Sequence, residues 1–265
     1  MNAFDYHRPD SVEAAVAARR SAADGAYLAG GMTLIPTLKQ GLAAPSDLVD
    51  LGAVAGLSGI TVSPERVTIG AMTRHADVAA SAEVKRAIPA LAFLASEIGD
   101  AQVRNRGTIG GSLANSDPAA DYPAAVTGLG AAIVTDRRSI AADDYFVDLF
   151  ETALEPGELI RAVEFPVPKR AAYRKFRHPA SRYAVVGVFV ADFGGRFRVG
   201  VTGAGPCAFR LPALEEALAR RADPTAADGL KVDSSRFNSD LHASAEYRAH
   251  LVKVMARRAI AALFE

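Results

Sequence analysis

Gly107-Thr-Ile-Gly-Gly-Ser-Leu-Ala-Asn-Ser-Asp-Pro-Ala-Ala-Asp121 closes a run, residues 100–121, that is rich in glycine, asparagine, serine and aspartate and has no hydrophobic period. It reads as one long loop, and a loop of that length between packed elements usually carries function. Gly110-Gly111 offers backbone amides at a turn, while Thr108, Ser112 and Asn115 add neutral hydrogen-bonding groups. Carboxylates repel phosphate, so in a nucleotide site Asp117 and Asp121 belong on sugar or ribityl hydroxyls. The same two residues also read as a helix cap before Pro118 and a first-turn acid. A companion stretch, Ala29-Gly-Gly-Met-Thr-Leu-Ile-Pro36, carries a short strand into two glycines and a helix start. Such a turn leaves amides free to cradle a phosphate, and it also reads as a plain tight turn. No lysine follows the glycines, which excludes a Walker loop.

Outward from these two stretches, strand and helix signals alternate. Ser11 is placed to cap a helix over 12–20, residues 27–29 form the strand before Gly30, and a helix starts near Thr33 and runs to Lys39. Residues 48–51, 60–62 and 67–69 read as strands, with Pro64-Glu65 turning between the last two. Val84, Ile88, Leu91, Leu94 and Ile98 recur at about 3.6 residues, which predicts one core-facing helix over 83–98, stopped by Gly99. Beyond the long loop come a helix over 122–129 and strands over 132–135 and 159–165, after which Pro166-Val-Pro168 marks a domain boundary. Strands over 173–176, 184–193 and 196–202 follow, the last two joined at Gly194-Gly195, and helices over 212–220 and 244–263 close the chain. The pattern is α/β in the broad sense that includes α+β.

The 265 residues are 50% hydrophobic and 23% charged, which excludes disorder for most of the chain. Thirty basic and thirty acidic residues cancel, so no overall field draws the protein to nucleic acid, and any bound anion is held locally. A single cysteine, Cys207, excludes a disulfide framework and an iron–sulfur cluster ligated by this chain alone. Five scattered histidines lack metal-binding spacing, so no metal site is expected. No apolar run approaches the roughly 20 residues of a membrane span, and no secretory signal pattern opens the sequence. The chain reads as cytoplasmic and soluble.

The two glycine stretches together resemble the flavin-binding subunit of the molybdenum hydroxylases, the family of xanthine dehydrogenase and aerobic carbon monoxide dehydrogenase medium subunits. The resemblance continues through Gly157-Glu-Leu-Ile160, Tyr173-Arg-Lys-Phe176, Ser181-Arg-Tyr-Ala-Val185 and Gly203-Ala-Gly205, over nearly the whole chain. It implies a two-lobed FAD-binding domain of the PCMH type over 1–170, with lobes of about 1–58 and 59–170, and a smaller C-terminal α/β flavoprotein domain over 171–265. FAD would be held non-covalently. Ala29, Gly30, Gly31, Met32, Thr33 and Leu34 would form the first pyrophosphate loop, and Thr108, Ile109, Gly110, Gly111 and Ser112 the second. Asn115 and Asp117 would complete the binding surface, and Asp121 would meet cofactor hydroxyls. Lys175 would lie near the flavin and Tyr183 beside its ring; on residue type alone they also read as a surface lysine and a half-buried strand tyrosine. Met32 departs from the polar residue common in the family.

The same resemblance implies partners: a small iron–sulfur subunit with [2Fe-2S] clusters and a large subunit with the molybdenum cofactor, electrons leaving this flavin for NAD, a quinone or another acceptor. A self-contained FAD-dependent oxidoreductase, related in fold to cell-wall amino-sugar reductases, is the alternative, and a nucleotide-binding protein without redox chemistry a third. Two further patterns are weaker. Gly203-Ala-Gly-Pro-Cys-Ala208 fits the dinucleotide fingerprint but is interrupted by Pro206, and Gly110-Gly-Ser-Leu-Ala114 narrowly misses the nucleophile elbow.

Overall fold

A parallel three-stranded sheet, ordered β1-β3-β2, opens the computed structural model, which describes residues 2–265. Its elements run β1 (Asp5–His7), α1 (Val12–Ser21), β2 (Gly25–Leu28), α2 (Leu34–Lys39) and β3 (Asp47–Asp50). Ser11 caps α1 as expected, its hydroxyl accepting from the Ala14 amide at 3.2 Å. The core of this lobe is small: Ala15, Val49, Leu51, Val54 and Leu57, with Leu159 reaching in from downstream.

The second lobe is built on an antiparallel sheet ordered β4-β5-β10-β6-β7. Its strands are β4 (Ile60–Val62), β5 (Arg66–Gly70), β6 (Ala132–Thr135), β7 (Ser139–Ala141) and β10 (Ile160–Pro166); β8 (Phe146–Asp148) and β9 (Glu151–Thr152) form a separate hairpin. Between β5 and β6 the chain makes α3 (His75–Ala80), α4 (Ala82–Ala87), α5 (Pro89–Ser96), α6 (Ala101–Arg106), α7 (Ile109–Asn115) and α8 (Tyr122–Leu129), and α9 (Ala142–Tyr145) follows β7.

Two expectations are corrected here. The single helix over 83–98 is two, because Pro89 bars the helical conformation for the residue before it; Ile88 sits at φ −139°, ψ 76°, and Pro89 becomes the first residue of α5. The long loop over 100–121 contains α6 and α7, each started by a side-chain cap. Asp100 accepts from the Val103 amide at 2.9 Å, and Thr108 from the Gly111 amide at 3.2 Å. Asn, Gly and Ser lower helix propensity without forbidding the helix once both starts are capped and the residues are packed.

The C-terminal part is an antiparallel sheet ordered β11-β12-β13-β14: β11 (Arg170–Arg177), β12 (Ala184–Asp192), β13 (Phe197–Thr202) and β14 (Phe209–Arg210). Helices α10 (Pro212–Arg220) and α11 (Ala245–Phe264) cover one face, and α8 of the second lobe covers the other, so β12 is buried at every position. The contact with α8 is close enough that a Cβ at Gly200 would overlap the carbonyl of Ala124. The second lobe's core accordingly runs on through Tyr173, Phe189 and Ala191 of the C-terminal sheet.

Candidate functional site

All three parts of the chain meet at a cleft of about 560 Å³, within the range of small-molecule and cofactor sites. The first lobe contributes residues 29–34 after β2; the second contributes Thr108, Gly111, Ser112, Asn115, Asp117 and Asp121; the β11–β12 loop contributes residues 180–183.

In the first glycine stretch the chain leaves β2 and enters α2, and the first helical amide with an acceptor is that of Ile35, which donates to the Gly31 carbonyl at 3.1 Å. Among the described residues, the amides of Gly31, Met32, Thr33 and Leu34 have no protein acceptor. Gly31 lies at φ +74°, a conformation that costs most side chains about 1 kcal/mol or more. Gly30 is required for a different reason. A Cβ there would overlap the Arg106 carbonyl, so this glycine lets the first lobe touch the end of α6.

The second glycine pair behaves otherwise. The Gly110 amide is spent on the Ala71 carbonyl at 2.8 Å and that of Ile109 on the Thr73 carbonyl at 3.1 Å. Both residues are buried and neither lines the cleft, so their place is in packing α7 against the end of β5. Thr108, Gly111, Ser112 and Asn115 do line it. Ser112 sits inside α7 and not on a strand-to-helix elbow, which removes the nucleophile reading.

Asp117 caps no helix; it accepts from the Ala119 amide at 2.8 Å, and burial pushes its carboxyl above the usual range. Tyr183 is 43% exposed on the cleft, its phenol pushed up by burial with Asp117 and Asp121 adding to the effect. Asp121 borders the cleft, but its carboxylate is already engaged: Tyr173 donates to it at 2.6 Å and Lys175 lies 2.9 Å away. Burial pushes this carboxyl up while Lys175 and Tyr173 oppose the shift. Lys175 does not line the cleft and is not a surface lysine. Its side chain is 3% exposed behind Asp121.

Sequence reasoning missed His75, the first residue of α3. It borders the cleft at 5% exposure, its Nδ1 has no partner, and burial lowers its pKa to about 4. A lone histidine beside a threonine and an arginine carries no pattern that could single it out. The fingerprint at Gly203 leads into β14 and not a helix, and its amide donates to the Pro118 carbonyl at 2.7 Å. Cys207 is half-buried with its thiol pushed up by burial, which suits packing. Among the described residues no cluster of three or more His, Cys, Asp or Glu could hold a metal ion, and no helix is long and apolar enough to cross a membrane.

Comparison with known proteins decides between the readings. The family model for the FAD binding domain in molybdopterin dehydrogenase matches residues 2–168. The chain belongs to this family. It is 36% identical to the carbon monoxide dehydrogenase medium chain of Afipia carboxidovorans, over 97% of this chain and 95% of that one. It is 35% identical to the nicotine 6-hydroxylase medium subunit of Paenarthrobacter nicotinovorans, over 98% and 97%. Among solved structures, carbon monoxide dehydrogenase from Hydrogenophaga pseudoflava, in a form lacking the Mo-pyranopterin moiety, superposes with a TM-score of 0.89 at 34% identity, covering 98% of this chain and 97% of that one. The cleft fits the FAD of this family. Four free amides supply donors for a pyrophosphate.

Proposed function

We propose that this chain is the FAD-carrying subunit of a molybdenum hydroxylase, taking electrons from a small iron–sulfur subunit and passing them to NAD, a quinone or another acceptor. The free amides of residues 31–34, facing a cleft shared by all three parts of the chain, carry the reading. FAD supplies the redox chemistry when bound. The protein's part is to bind and orient it. Amides of the first loop would hold the pyrophosphate, Thr108, Ser112 and Asn115 would offer neutral hydrogen-bonding groups from the second, and Tyr183 would lie beside the ring. Asp121 acts behind the site by fixing Lys175 and Tyr173, and Asp117, which also lines the cleft, would be left to meet cofactor hydroxyls. The FAD-binding domain spans 1–170 and the C-terminal flavoprotein domain 171–265, and the complex works in the cytoplasm.

Substrate oxidation belongs to the large subunit with its molybdenum cofactor, and the iron–sulfur relay to the small subunit, because one cysteine cannot ligate the relay that would feed this flavin. Expressed alone, the chain should bind about one FAD and oxidise no organic substrate. Co-expressed with the genes beside its own, it should join a complex in which substrate bleaches the flavin absorbance. Flavin bleaching by an organic substrate in the isolated chain would promote the self-contained oxidoreductase instead.

A further inference from the structure

We infer that Lys175 is a positioning residue for this cleft: its ammonium ties three separate segments into a buried knot that fixes the β11–β12 loop, and with it Tyr183, at the open side of the site. The inference rests on the cleft being the FAD site.

A lysine ammonium has three donor hydrogens, and here each has a partner. They are the Asp121 carboxylate, at 2.9 and 3.1 Å from its two oxygens, the Glu97 carbonyl at 2.9 Å and the Arg182 carbonyl at 2.8 Å. Glu97 ends α5, Asp121 starts α8 and Arg182 stands in the β11–β12 loop, so one side chain joins two corners of the second lobe to a loop of the C-terminal sheet. Tyr173, two residues earlier on β11, donates to the same carboxylate.

The loop needs such a restraint. Arg182 is left-handed at φ +63°, uncommon for a side chain of its size, and it immediately precedes Tyr183. Its amide donates to the His178 carbonyl at 2.9 Å, and the His178 amide donates to the Tyr183 carbonyl at 2.8 Å. These bonds shape the loop internally; the His178 ring packs on His242, centroids 4.4 Å apart, and Lys175 attaches the Arg182 end, beside Tyr183, to the second lobe. A buried ion pair is weak evidence for stability, because desolvation offsets most of the attraction, so its defensible role here is to specify an arrangement. Nor does Lys175 act as a free cation toward the cleft. Its charge is matched by Asp121, and all its hydrogens are engaged.

The test uses the full-length chain. Lys175→Met combined with Asp121→Asn removes both charges and avoids stranding either. Without FAD, trypsin should cut after Arg182 at least ten-fold faster in this double variant than in the parent, with the thermal midpoint little changed. An unchanged cleavage rate would overturn the latch whatever the cleft binds. With FAD bound, Tyr183→Ala should raise flavin fluorescence several-fold by removing a stacked quencher. The double variant should raise it by a similar factor, and the triple variant no further. A triple variant that multiplies the two effects would show Lys175 acting independently of Tyr183 and overturn the inference. If the latch opens by proteolysis yet Tyr183→Ala leaves the fluorescence unchanged, the placement of the flavin beside Tyr183 is wrong, and the claim that the latch serves the flavin falls with it.

Discussion

Replacing His75 by glutamine should flatten the acid limb of the stability profile. The imidazole is buried at the start of α3, and its pKa is lowered from 6.5 to about 4, chiefly because burial penalises the cation, with Arg104 adding repulsion. In the unfolded chain the same group titrates near 6.5. Above that pH neither state carries the proton. Between about 6.5 and 4 the unfolded state binds a proton that the folded state refuses, so stability falls as pH falls. At about 1.4 kcal/mol per pH unit the loss reaches about 2 kcal/mol by pH 5 and about 3 kcal/mol by pH 4. Carboxylates such as Glu158, held down to about 2 by Arg138 against its own burial, add a slope of the same sign at lower pH, but the variant keeps it. Urea unfolding of the FAD-free parent and His75→Gln at pH 7.5, 6.5, 5.5 and 4.5 isolates the histidine as the difference between the two curves. The variant should lose about 2.5 kcal/mol less than the parent between the ends of that range. Parallel curves would mean that His75 is protonated in the folded state, and the reasoning from burial would fail.

Gly30→Ala should weaken FAD binding ten-fold or more in a visible titration, because the first lobe must back away from the Arg106 carbonyl. Gly110→Ala should instead lower stability by about 1–3 kcal/mol in urea unfolding, its Cβ falling 2.6 Å from that of Ala71 and 2.8 Å from the Ala71 carbonyl, with little effect on cofactor affinity if the protein is kept folded. Asp121→Ala alone strands a buried ammonium and should cost about 3–5 kcal/mol of stability in the same assay. Heat or acid precipitation should release the flavin into the supernatant, and metal analysis of the chain expressed alone should find neither iron nor molybdenum; yellow precipitate would point to covalent attachment.

Elements whose signals are local were legible in the sequence. Ser11 before α1, the paired glycines between β12 and β13, the apolar run of α8 and the apolar stripe of α11 all carry their own instructions. The break at Pro89 was also written there, but a hydrophobic period that continues across it masks the proline. β1 and β7 are three residues each, too short to show alternation, and they exist because a neighbouring strand pairs with them. At the site, the composition of residues 107–121 pointed to the right region without separating glycines that free an amide from those that let backbones touch. Gly30 and Gly110 are in the second class, and that depends on Arg106 and Ala71, which no local pattern brings near. Lys175 was noticed for its charge, whereas its surroundings come from three distant segments.

The near-contact of α8 with β13 has a mechanical consequence. Where a glycine without side chain lets a helix rest directly on a strand, and the apolar core passes through the junction, Pro166 to Pro168 cannot serve as a hinge even though the sequence punctuates there. Two walls of the cleft therefore belong to one rigid block. The third, at residues 29–34, belongs to the first lobe, whose few buried side chains include only Leu159 from outside it. A ligand lodged in the cleft touches both that lobe and the block, and so bolts the one to the other.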